Sequence, residues 1–409
     1  MRHTRTVPEP SPASARLTVV GVGEAGADDL APRSRAALLA ADVIIGSERQ
    51  LGLVSAVSPG ERVPLPAPLQ PGLSDLLARH AGRRVVVLAS GDPMFHGIGA
   101  TLVRLLGADR VEVVPSPSSV SLAAARLGWS LPGCEVISAV GRPLDLVRPA
   151  LAPGRRVLVL TTTATAGRDV RALLLEAGYG ASSVTVLARL GGPAEAIGDG
   201  TGEHDPLAVV AIECRLDPGA VALPRTAALP DDAFEHDGQL TKQEVRAVTL
   251  AALRPLPGAH LWDVGAGSGS VGIEWLRAHP SCSATAIEPR DDRRERIARN
   301  AVALGVPGLA VVAGRAPEAL AGLPEPDAIF VGGGVSNDGV VAACVAALRP
   351  GGRLVANGVT LETEAVLAAA FAEHGGTLTR LHVERASPVG GFTGWRPAMP
   401  VTQWAWSKP

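Results

Sequence analysis

The amino-acid sequence predicts an α/β fold with two domains, and three observations lead to this prediction. Short β-rich runs alternate with Ala- and Leu-rich helical segments along the whole chain. Hydrophobic residues make up 46% of the sequence but aromatic residues only 3%, so the cores must be built from Ala, Val and Leu. Such cores are usual where buried sheets are flanked by helices. A chain of 409 residues is also long for one core, which favours two domains.

The first half contains seven runs that we predict to be buried strands and two stretches that we predict to be helices. The strands are Leu17–Val22, Asp42–Ile45, Arg84–Ala89, Val111–Val114, Arg156–Thr161, Val184–Ala188 and Ala208–Cys214. The helices are Ser119–Leu127 and Arg168–Ala177.

The pattern changes over residues 217–231, where three prolines stand among Gly and Ala without any periodicity. This composition is typical of an interdomain linker. We therefore predict one domain over residues 16–216 and a second over 232–409. Residues 1–15 are rich in Pro, Ser and Arg and have no apolar run, which predicts a disordered tail and not a signal peptide.

The second half begins with Thr241-Lys-Gln-Glu244, whose spacing predicts a capping box at the start of an apolar-striped helix. Strands and helices then alternate. We predict strands at His260–Val264, Ala284–Glu288, Leu309–Ala313, Asp327–Val331, Arg353–Ala356, Leu378–Ala386 and Pro400–Trp406, and helices that end at Ala278 or cover Asp291–Leu304 and Asp338–Leu348.

The overall charge of the chain narrows the classes of partner. With 38 basic and 40 acidic residues the net charge is −2, so there is no broad basic field and nucleic acid is not an expected partner. Local arginines must therefore meet any anionic substrate. No apolar stretch is long enough to span a membrane, and we expect a cytoplasmic protein. The four cysteines are widely spaced, which predicts free thiols and no metal site.

A glycine-rich turn carries the strongest chemical signal of the second half. Asp263-Val-Gly-Ala-Gly-Ser-Gly269 follows a predicted strand and opens a helix, so the backbone can approach a ligand closely. A nicotinamide-binding turn would need its third glycine at Ser270. Asp263 suits a cofactor with a cationic amino group, and Glu288, at the end of the next strand, suits a ribose diol. This combination favours S-adenosylmethionine.

The first half has a glycine motif of its own. Gly21-Val-Gly-Glu-Ala-Gly26 satisfies G-x-G-x-x-G, which taken alone suggests a dinucleotide site. The acid that would hold the ribose is missing, because Ile45-Gly46 occupies its place, and Pro32 interrupts the following helix. A nicotinamide or flavin nucleotide is therefore not favoured.

Longer motifs identify a family. Asp232–Arg246, Trp262–Val271, Phe330–Gly334 and Ala356–Glu362 resemble the decarboxylating precorrin-6Y methyltransferase family, which is similar over nearly all of residues 16–407. The resemblance implies a two-lobed tetrapyrrole methylase domain followed by a class I, Rossmann-like methyltransferase domain.

The resemblance also implies an activity in cobalamin biosynthesis. Two methyl groups would pass from S-adenosylmethionine to carbons 5 and 15 of precorrin-6B. The carbon-12 acetate would lose carbon dioxide, which gives precorrin-8X. The second domain would methylate carbon 15 and decarboxylate. Each domain would bind one S-adenosylmethionine.

The resemblance indicates which residues of the second half contact the cofactor. Gly314-Arg-Ala-Pro317 should pass near the adenine, but many methyltransferases of this type have Asp where Arg315 stands. We therefore expect the adenine contact from the backbone or Ala316, and Arg315 as an ordinary loop residue stays an open alternative. The cofactor candidates of this half are Thr241, Asp263, Gly265, Ala266, Gly267, Ser268, Gly269, Glu288 and Ala316.

In the first half, Ser90–Gly97 and Pro115–Val120 resemble the tetrapyrrole methylase domain, which would methylate carbon 5. A plain turn at Asp92-Pro93 and a structural role for His96 are the alternatives. Ala188 stands where we expect Glu in relatives, which weakens any role for the loop after it. The resemblance gives Gly91, Asp92, Met94, Ser118 and Ser119 as cofactor candidates, and Gly21 and Gly23 as residues on the macrocycle side.

Methyl transfer to an enamine-like carbon needs no covalent intermediate, so we nominate no nucleophile. The many carboxylates of the macrocycle favour arginine ligands, for which Arg246, Arg385 and Arg396 are the candidates. Relatives suggest a homo-oligomer that forms through the second half. Two alternatives stay open: another tetrapyrrole substrate such as a cobalt-precorrin, and a non-catalytic scaffold that binds S-adenosylmethionine.

Overall fold

The computed structural model describes residues 17–225 and 228–409, so the predicted tail over 1–15 lies outside the described residues. The chain forms two compact units. The first comprises Arg155–Ala172, Ser182–Glu213 and the described part of Met1–Gly141. The second comprises Arg142–Gly154, Leu173–Ala181 and Cys214–Pro409 without the two undescribed residues. Two short segments of the first half therefore belong to the second unit, which the sequence did not indicate.

One sheet of the first unit consists of five parallel strands: β1 (Leu17–Val22), β2 (Val43–Gly46), β3 (Glu61–Pro64), β4 (Val85–Ser90) and β5 (Val111–Val114). Their order is β3-β2-β4-β1-β5. Buried Val, Ile and Leu side chains cover both of its faces. Because the strands are parallel, the loops that follow β1, β4 and β5 meet at one edge. The connecting helices are α1 (Pro32–Ala40), α2 (Glu48–Leu53), α3 (Leu69–Arg79) and α4 (Ile98–Leu106).

The other sheet of the first unit is mixed. It contains β6 (Cys134–Ser138), β7 (Arg156–Thr161), β8 (Ser183–Ala188), β9 (Ala196–Gly198) and β10 (Ala208–Glu213). The order is β6-β7-β10-β8-β9, and only the pair β6 and β7 is parallel. Helix α5 (Ser119–Leu127) packs on β10, and α6 (Ala166–Glu176) follows β7.

The sheet of the second unit has seven strands: β11 (His260–Val264), β12 (Ser283–Glu288), β13 (Ala310–Ala313), β14 (Ala328–Val331), β15 (Arg353–Gly358), β16 (Thr377–Leu381) and β19 (Val401–Ser407). In the order β13-β12-β11-β14-β15-β19-β16, only β19 runs antiparallel to both of its neighbours. The strand order reverses beside β11, which is where ligands bind in such sheets. The helices are α7 (Gln243–Leu253), α8 (Ser270–Ala278), α9 (Asp291–Ala303), α10 (Val340–Ala347) and α11 (Leu361–His374).

Two predicted elements of the second half are wrong. The predicted strand Leu378–Ala386 is two strands, because β16 ends at Leu381 and the chain then enters a separate hairpin of β17 (Glu384–Val389) and β18 (Phe392–Pro397). The predicted capping box is also wrong, because Lys242 is the N-cap residue of α7 and its side chain makes no capping hydrogen bond. In the described residues, no helix is both long and apolar enough to cross a membrane.

Candidate functional site

The turn between β11 and α8 has glycine at three positions where the backbone conformation favours it. Gly265, Gly267 and Gly269 have φ angles of +70°, +60° and +76°, a region that residues with a side chain rarely adopt. A Cβ atom on Gly265 would lie 2.6 Å from the carbonyl oxygen of Gly333. The turn therefore packs directly on the loop that follows β14.

Glu288, at the carboxyl end of β12, holds this turn in place. Its Oε2 atom accepts a hydrogen bond from the Gly267 N–H at 2.9 Å. Its side chain is buried yet lines a cavity of about 580 Å³ above the turn. A carboxylate fixed in this way has a lone pair left for a ligand hydroxyl.

Asp263 does not reach this cavity. Its side chain is only 1% exposed, and Oδ2 accepts a hydrogen bond from the Gly272 N–H in α8 at 2.9 Å. Oδ1 has no hydrogen-bond partner. Burial raises the pKa of Asp263 to about 7, against the opposing hydrogen bond from Gly272 and with a further upward contribution from Glu288. Asp263 is thus not part of the cavity wall, and its contact with the cofactor stays a prediction.

The cavity, which we call the glycine-turn cavity, brings most of the other predicted residues together. Ser268 and Gly269 are buried and do not line it, and Arg396 does not line it either. The predicted residues in its wall are Thr241, Gly265, Ala266, Gly267, Glu288, Ala316 and Arg385, and Arg315 joins them.

Several further residues line this cavity that were not among the predicted site residues. Asn357, near the end of β15, donates a hydrogen bond from Nδ2 to the Thr249 hydroxyl at 3.0 Å. Its Oδ1 atom accepts one from Gln403 at 2.9 Å. Lys242 also lines the cavity, and its ammonium lies 3.6 Å from the Asp231 carboxylate. Lys242 and Asn357 lie within the motifs that carried the family resemblance, but no spacing rule distinguished them from their neighbours.

Arg246 cannot bind a substrate, so that prediction is wrong. Its side chain is 0% exposed, and Nε donates a hydrogen bond to Glu274 at 2.6 Å. Its remaining nitrogens donate to Asp231 and to the carbonyl oxygens of Thr241 and Leu229. All three guanidinium nitrogens are thus committed within the second unit, and Arg246 is a structural residue.

Arg385 is the predicted arginine that the structure does bring to the glycine-turn cavity. It is exposed and forms an ion pair with Glu244 of α7, with Nε 3.2 Å from Oε1. The hydrogen bond from its own backbone N–H and the nearby Arg385 guanidinium lower the pKa of Glu244. Arg396 lies directly opposite Arg385 in the β17–β18 hairpin. The two arginines therefore lie on the same side of the hairpin, where Arg385 has Glu244 as its carboxylate partner.

The first unit has a cavity of its own, of about 340 Å³, lined by residues from both of its sheets. We call it the two-sheet cavity. The predicted residues Gly23, Gly91 and Ser119 line it, as does His96, whose ring lies edge-on to Phe95.

Four predicted residues of the first unit do not line this cavity, and each has a local role instead. A Cβ atom on Gly21 would overlap the carbonyl oxygen of Gly91, so Gly21 permits close packing of two loops. The Asp92 carboxylate accepts the Met94 N–H at 2.9 Å, which is the plain turn left open as an alternative, and Met94 points to solvent. Ser118 is the N-cap residue of α5. Direct contact of these side chains with a ligand is not supported.

Charged residues that the sequence analysis did not consider stand at the two-sheet cavity. Glu24 and Arg49 line it and form an ion pair, and Glu24 also pairs with Arg189 at 2.9 Å. These residues come from three different segments, so no local motif could indicate their proximity. In neither unit do the described residues bring three or more His, Cys, Asp or Glu side chains together in a possible metal site.

Comparison with known proteins agrees with this geometry. The family described as "Tetrapyrrole (Corrin/Porphyrin) Methylases" matches residues 16–204, and the "Precorrin methyltransferase domain" family matches residues 232–408. A precorrin-6Y C(5,15)-methyltransferase (decarboxylating) of a Sinorhizobium species is 51% identical over 98% of this chain and 98% of that protein.

Two shorter relatives each match about two fifths of the chain. A cobalt-precorrin-7 C(5)-methyltransferase of Salmonella typhimurium is 35% identical over 40% of this chain and 80% of its own length. A probable cobalt-precorrin-6B C(15)-methyltransferase (decarboxylating) of Pyrobaculum calidifontis is 37% identical over 41% of this chain and 89% of its own length. Separate proteins thus carry the two position-specific names.

The fold and the glycine-turn cavity define an S-adenosylmethionine-dependent methyltransferase, and the predicted α/β fold class is confirmed. The near-full-length identity makes the assignment specific. The chain belongs to the family of decarboxylating precorrin-6Y C(5,15)-methyltransferases.

Proposed function

We propose that this protein methylates carbons 5 and 15 of precorrin-6B and removes carbon dioxide from the carbon-12 acetate, which gives precorrin-8X in cytoplasmic cobalamin biosynthesis. The observation that carries the proposal is the 51% identity to a precorrin-6Y C(5,15)-methyltransferase over 98% of the chain. The glycine-turn cavity of the second unit and the two-sheet cavity of the first support two separate methyl-transfer sites, each with its own S-adenosylmethionine. The domains proposed for the two reactions are residues 16–216 and 232–409, joined by 217–231.

In the second unit, the proposed cofactor lies across the turn at Gly265–Gly269, with Glu288 as the acceptor for its ribose hydroxyls. Carboxylate acceptance of a hydroxyl is a charge-assisted hydrogen bond, which is shorter and stronger than a neutral one. The adenine would pass Ala316, and Thr241 would close the site from the start of α7. Apart from Ser268 and Gly269, these residues line the same cavity, which supports their common role.

Methyl transfer to carbon 15 would be an in-line displacement, in which an enamine-like carbon of the macrocycle attacks the methyl group as the sulfonium bond breaks. The protein must align the two reactants and exclude water, a contribution that can reach ~7–11 kcal/mol. Apolar side chains of the glycine-turn cavity suit this task, among them Val245, Phe330 and Met399. No nucleophilic side chain is required.

Decarboxylation could follow directly from this methylation. The new carbon–carbon bond at carbon 15 leaves a conjugated iminium, and the electrons of the breaking bond between the acetate CH₂ and its carboxylate flow into it as carbon dioxide leaves. The residues of the cavity would then only bind and orient the acetate. A second-unit site that completes methylation but never releases carbon dioxide would contradict this order of events.

A comparison of four variants of the full chain tests the assignment of one reaction to each unit. An alanine at Gly265 or Gly91 meets neighbouring backbone, with Cβ 2.6 Å from Gly333 and 2.9 Å from Pro117, respectively. Gly258 and Gly82 also have positive φ angles but open space around the Cβ position, so Gly258→Ala and Gly82→Ala are matched controls.

The wild-type chain should add two methyl groups and release one carbon dioxide per macrocycle, as read by mass spectrometry. Gly265→Ala should add only one methyl group without loss of carbon dioxide, whereas Gly91→Ala should retain the loss of carbon dioxide and one methylation. Titration calorimetry with S-adenosylhomocysteine should find two sites in the wild type and both controls, and one in each test variant. A single site in the wild type would refute the proposal.

A cobalt-containing macrocycle is the second candidate substrate, because the two shorter relatives are named for cobalt-precorrins. The higher identity over nearly the full length favours the metal-free precorrin. Parallel assays with the two macrocycles separate these candidates: the specificity constant for precorrin-6B should exceed that for its cobalt complex.

Self-association through the second unit is also part of the proposal. The β17–β18 hairpin exposes Val389, Phe392 and Trp395, with Phe392 84% exposed. Apolar residues exposed together in this way mark interaction surfaces, and a two-stranded hairpin leaves strand edges unpaired. A second copy of the chain would supply both an apolar face and a strand edge of the same kind. Light scattering should show a smaller particle for Phe392→Ser than for the wild type.

A further inference from the structure

The charged residues of the two-sheet cavity form a connected chain. The carboxylate of Glu24, in the loop after β1, lies between the guanidinium of Arg49, in α2, and that of Arg189, in the loop after β8. Glu24 is only 7% exposed at its side chain, whereas Arg49 is 30% exposed. The buried carboxylate thus faces protein on most sides, and Arg49 offers part of its guanidinium to the cavity.

The position of the Arg49 guanidinium is fixed by more than the ion pair. Its Nη2 atom donates a hydrogen bond to the Ser90 hydroxyl at 2.6 Å, and the neighbouring Gln50 donates to the same hydroxyl at 3.1 Å. Guanidinium carries five N–H donors in a planar fork, and Glu24 and Ser90 take one each. Donors therefore remain for a ligand that accepts hydrogen bonds in the same plane.

The loop after β8 is folded tightly against Glu24. Arg189 has a φ angle of +51°, in the left-handed region that non-glycine residues rarely occupy. A Cβ atom on Gly192 would lie 2.6 Å from the Cβ atom of Glu24. Strained backbone persists where the surrounding structure holds it, and it concentrates at functional sites. The ion pair between Arg189 and Glu24 connects the two sheets of the first unit at the cavity.

The charges of this cluster balance, because two arginines, Arg49 and Arg189, stand against two carboxylates, Glu24 and Asp205. Glu24 pairs with both arginines, and Asp205 forms a further ion pair with Arg189 at 3.8 Å. Among the described residues that line the two-sheet cavity, Arg49 is the one arginine or lysine. Arg49 is more exposed than its partner Glu24, so its remaining N–H donors are the groups that would bind an anionic group of a ligand.

We propose that Arg49 binds a carboxylate of the macrocycle in the two-sheet cavity, and that Glu24, held by Arg189, is the positioning residue that orients the Arg49 guanidinium. This inference rests on the proposed function of the first unit, methylation at carbon 5. Bidentate contact with a carboxylate would set the rotation of the flat ring above the cofactor. Arg49 would therefore help to select carbon 5 among the similar carbons of the macrocycle.

The test uses the full chain with Arg49→Gln, and with Arg33→Gln as the matched control. Arg33 is an exposed arginine of the same unit that pairs with Glu112 at 2.7 Å, away from the cavity lining. Arg49→Gln should raise KM for precorrin-6B in the carbon-5 reaction by about 10- to 100-fold, the range for loss of one hydrogen bond to a charged group. Its kcat should fall as well, because the ring is then less well aligned with the methyl group.

Two further readouts separate recognition of the macrocycle from damage to the fold. Loss of carbon dioxide reports on the second unit in the same chain, and affinity for S-adenosylhomocysteine reports on both cofactor sites. Neither should change in Arg49→Gln. Arg49→Lys should have a KM between those of Arg49→Gln and the wild type, because lysine keeps the positive charge but lacks the planar set of N–H donors of a guanidinium. Glu24→Gln should also raise KM, since the guanidinium is then held by Ser90 alone.

Three results have distinct meanings. A KM for Arg49→Gln within about twofold of the Arg33→Gln value would overturn the inference, as ordinary measurement scatter and loss of one surface charge account for that much. A loss of S-adenosylhomocysteine affinity at the first-unit site would also overturn it, because Arg49 would then serve the cofactor. A wild-type chain that never methylates carbon 5 would refute the proposed function itself, whatever the variants do.

Discussion

The Glu288 carboxylate and the Gly267 backbone N–H are joined by a 2.9 Å hydrogen bond that spans the ends of two neighbouring strands. Glu288 ends β12, whereas Gly267 belongs to the turn that leaves β11. The carbonyl oxygen of Ile287 accepts hydrogen bonds from Gly265 and Ala266, which adds two contacts between the same segments. Glu288, the proposed ribose acceptor, and the proposed cofactor turn are thus held together by hydrogen bonds.

Glu288→Ala should therefore weaken cofactor binding in two ways: it removes the ribose acceptor, and it removes a hydrogen bond that fixes the turn. We expect the affinity for S-adenosylhomocysteine at the second-unit site to fall by about 10- to 100-fold, as for loss of a hydrogen bond to a charged group. Calorimetry on the full chain measures this, and the first-unit site should be unaffected. Glu325→Ala, which changes an exposed carboxylate of the same unit, is the control. Equal affinities in the two variants would exclude the ribose role.

Much of this arrangement could be predicted from the sequence, because it depends on short-range pattern. Strands β1, β5, β7 and β11 and helix α5 have the predicted bounds, since apolar runs bounded by Gly or polar residues define them locally. Asp263 and the glycine turn are likewise contiguous in the sequence, and Glu288 ends the next strand. Parallel pairing of β11 with β12 then brings their ends together without further information.

The rest depends on contacts between residues far apart in the chain. Thr241 and Glu244 have the spacing of a capping box, but the Thr241 carbonyl accepts a hydrogen bond from Arg246, and Glu244 pairs with Arg385. Arg385 is 141 residues from Glu244, so the sequence around Glu244 gives no indication that the two residues are paired. The pairing of Glu24 with Arg189 escaped prediction for the same reason.

Replacement of Arg246 by methionine should affect stability and not substrate binding. The variant leaves the Glu274 carboxylate, which is 2% exposed, without its charged partner. Breaking a buried pair in this way costs about 3–5 kcal/mol of unfolding free energy. Denaturant unfolding should show that loss, and the folded protein should keep the wild-type KM for precorrin-6B.

The matched control for Arg246→Met is Arg299→Met, because Arg299 forms an exposed ion pair with Glu235 in the same unit. Exposed pairs contribute about 0–1 kcal/mol, so the control should unfold almost like the wild type. A raised KM in Arg246→Met at unchanged stability would restore Arg246 to the set of substrate ligands.

Replacement of Arg385 by glutamine should have the opposite profile. Its ion pair with Glu244 is about half exposed on both sides, so the unfolding free energy should change by less than about 1 kcal/mol. Because Arg385 lines the glycine-turn cavity, KM for the carbon-15 reaction should rise by about 10-fold. Arg396→Gln should have a smaller effect, since Arg396 does not line the cavity. Kinetics that monitor release of carbon dioxide measure both, and an unchanged KM in Arg385→Gln removes it from the substrate site.

The buried Asp263 carboxyl predicts a pH dependence of stability in the second unit. Burial raises the pKa of Asp263 from its ordinary value of about 3.8 to about 7 in the folded protein. The folded state therefore binds the proton more tightly than the unfolded state does. The contribution of Asp263 to the free energy of unfolding is therefore complete below about pH 4 and is lost as the pH rises toward 7. Above that pH the folded protein contains a buried charge, at a cost of up to about 4 kcal/mol.

Asp263→Asn removes this titration while leaving an oxygen that can accept the Gly272 N–H. The unfolding midpoint of the variant, relative to the wild type, should rise steadily between about pH 4 and about pH 7 and then level off. Thermal unfolding of both proteins across this range isolates the effect, because all other titrating groups are common to the two chains. Asp327→Asn serves as a control. The Asp327 carboxylate is paired with Arg349 at 2.5 Å, so its charge has a partner that the Asp263 charge lacks. If the wild type and Asp263→Asn differ by a constant amount at every pH, the carboxyl of Asp263 is ionised throughout, and some group near its Oδ1 atom must compensate the charge.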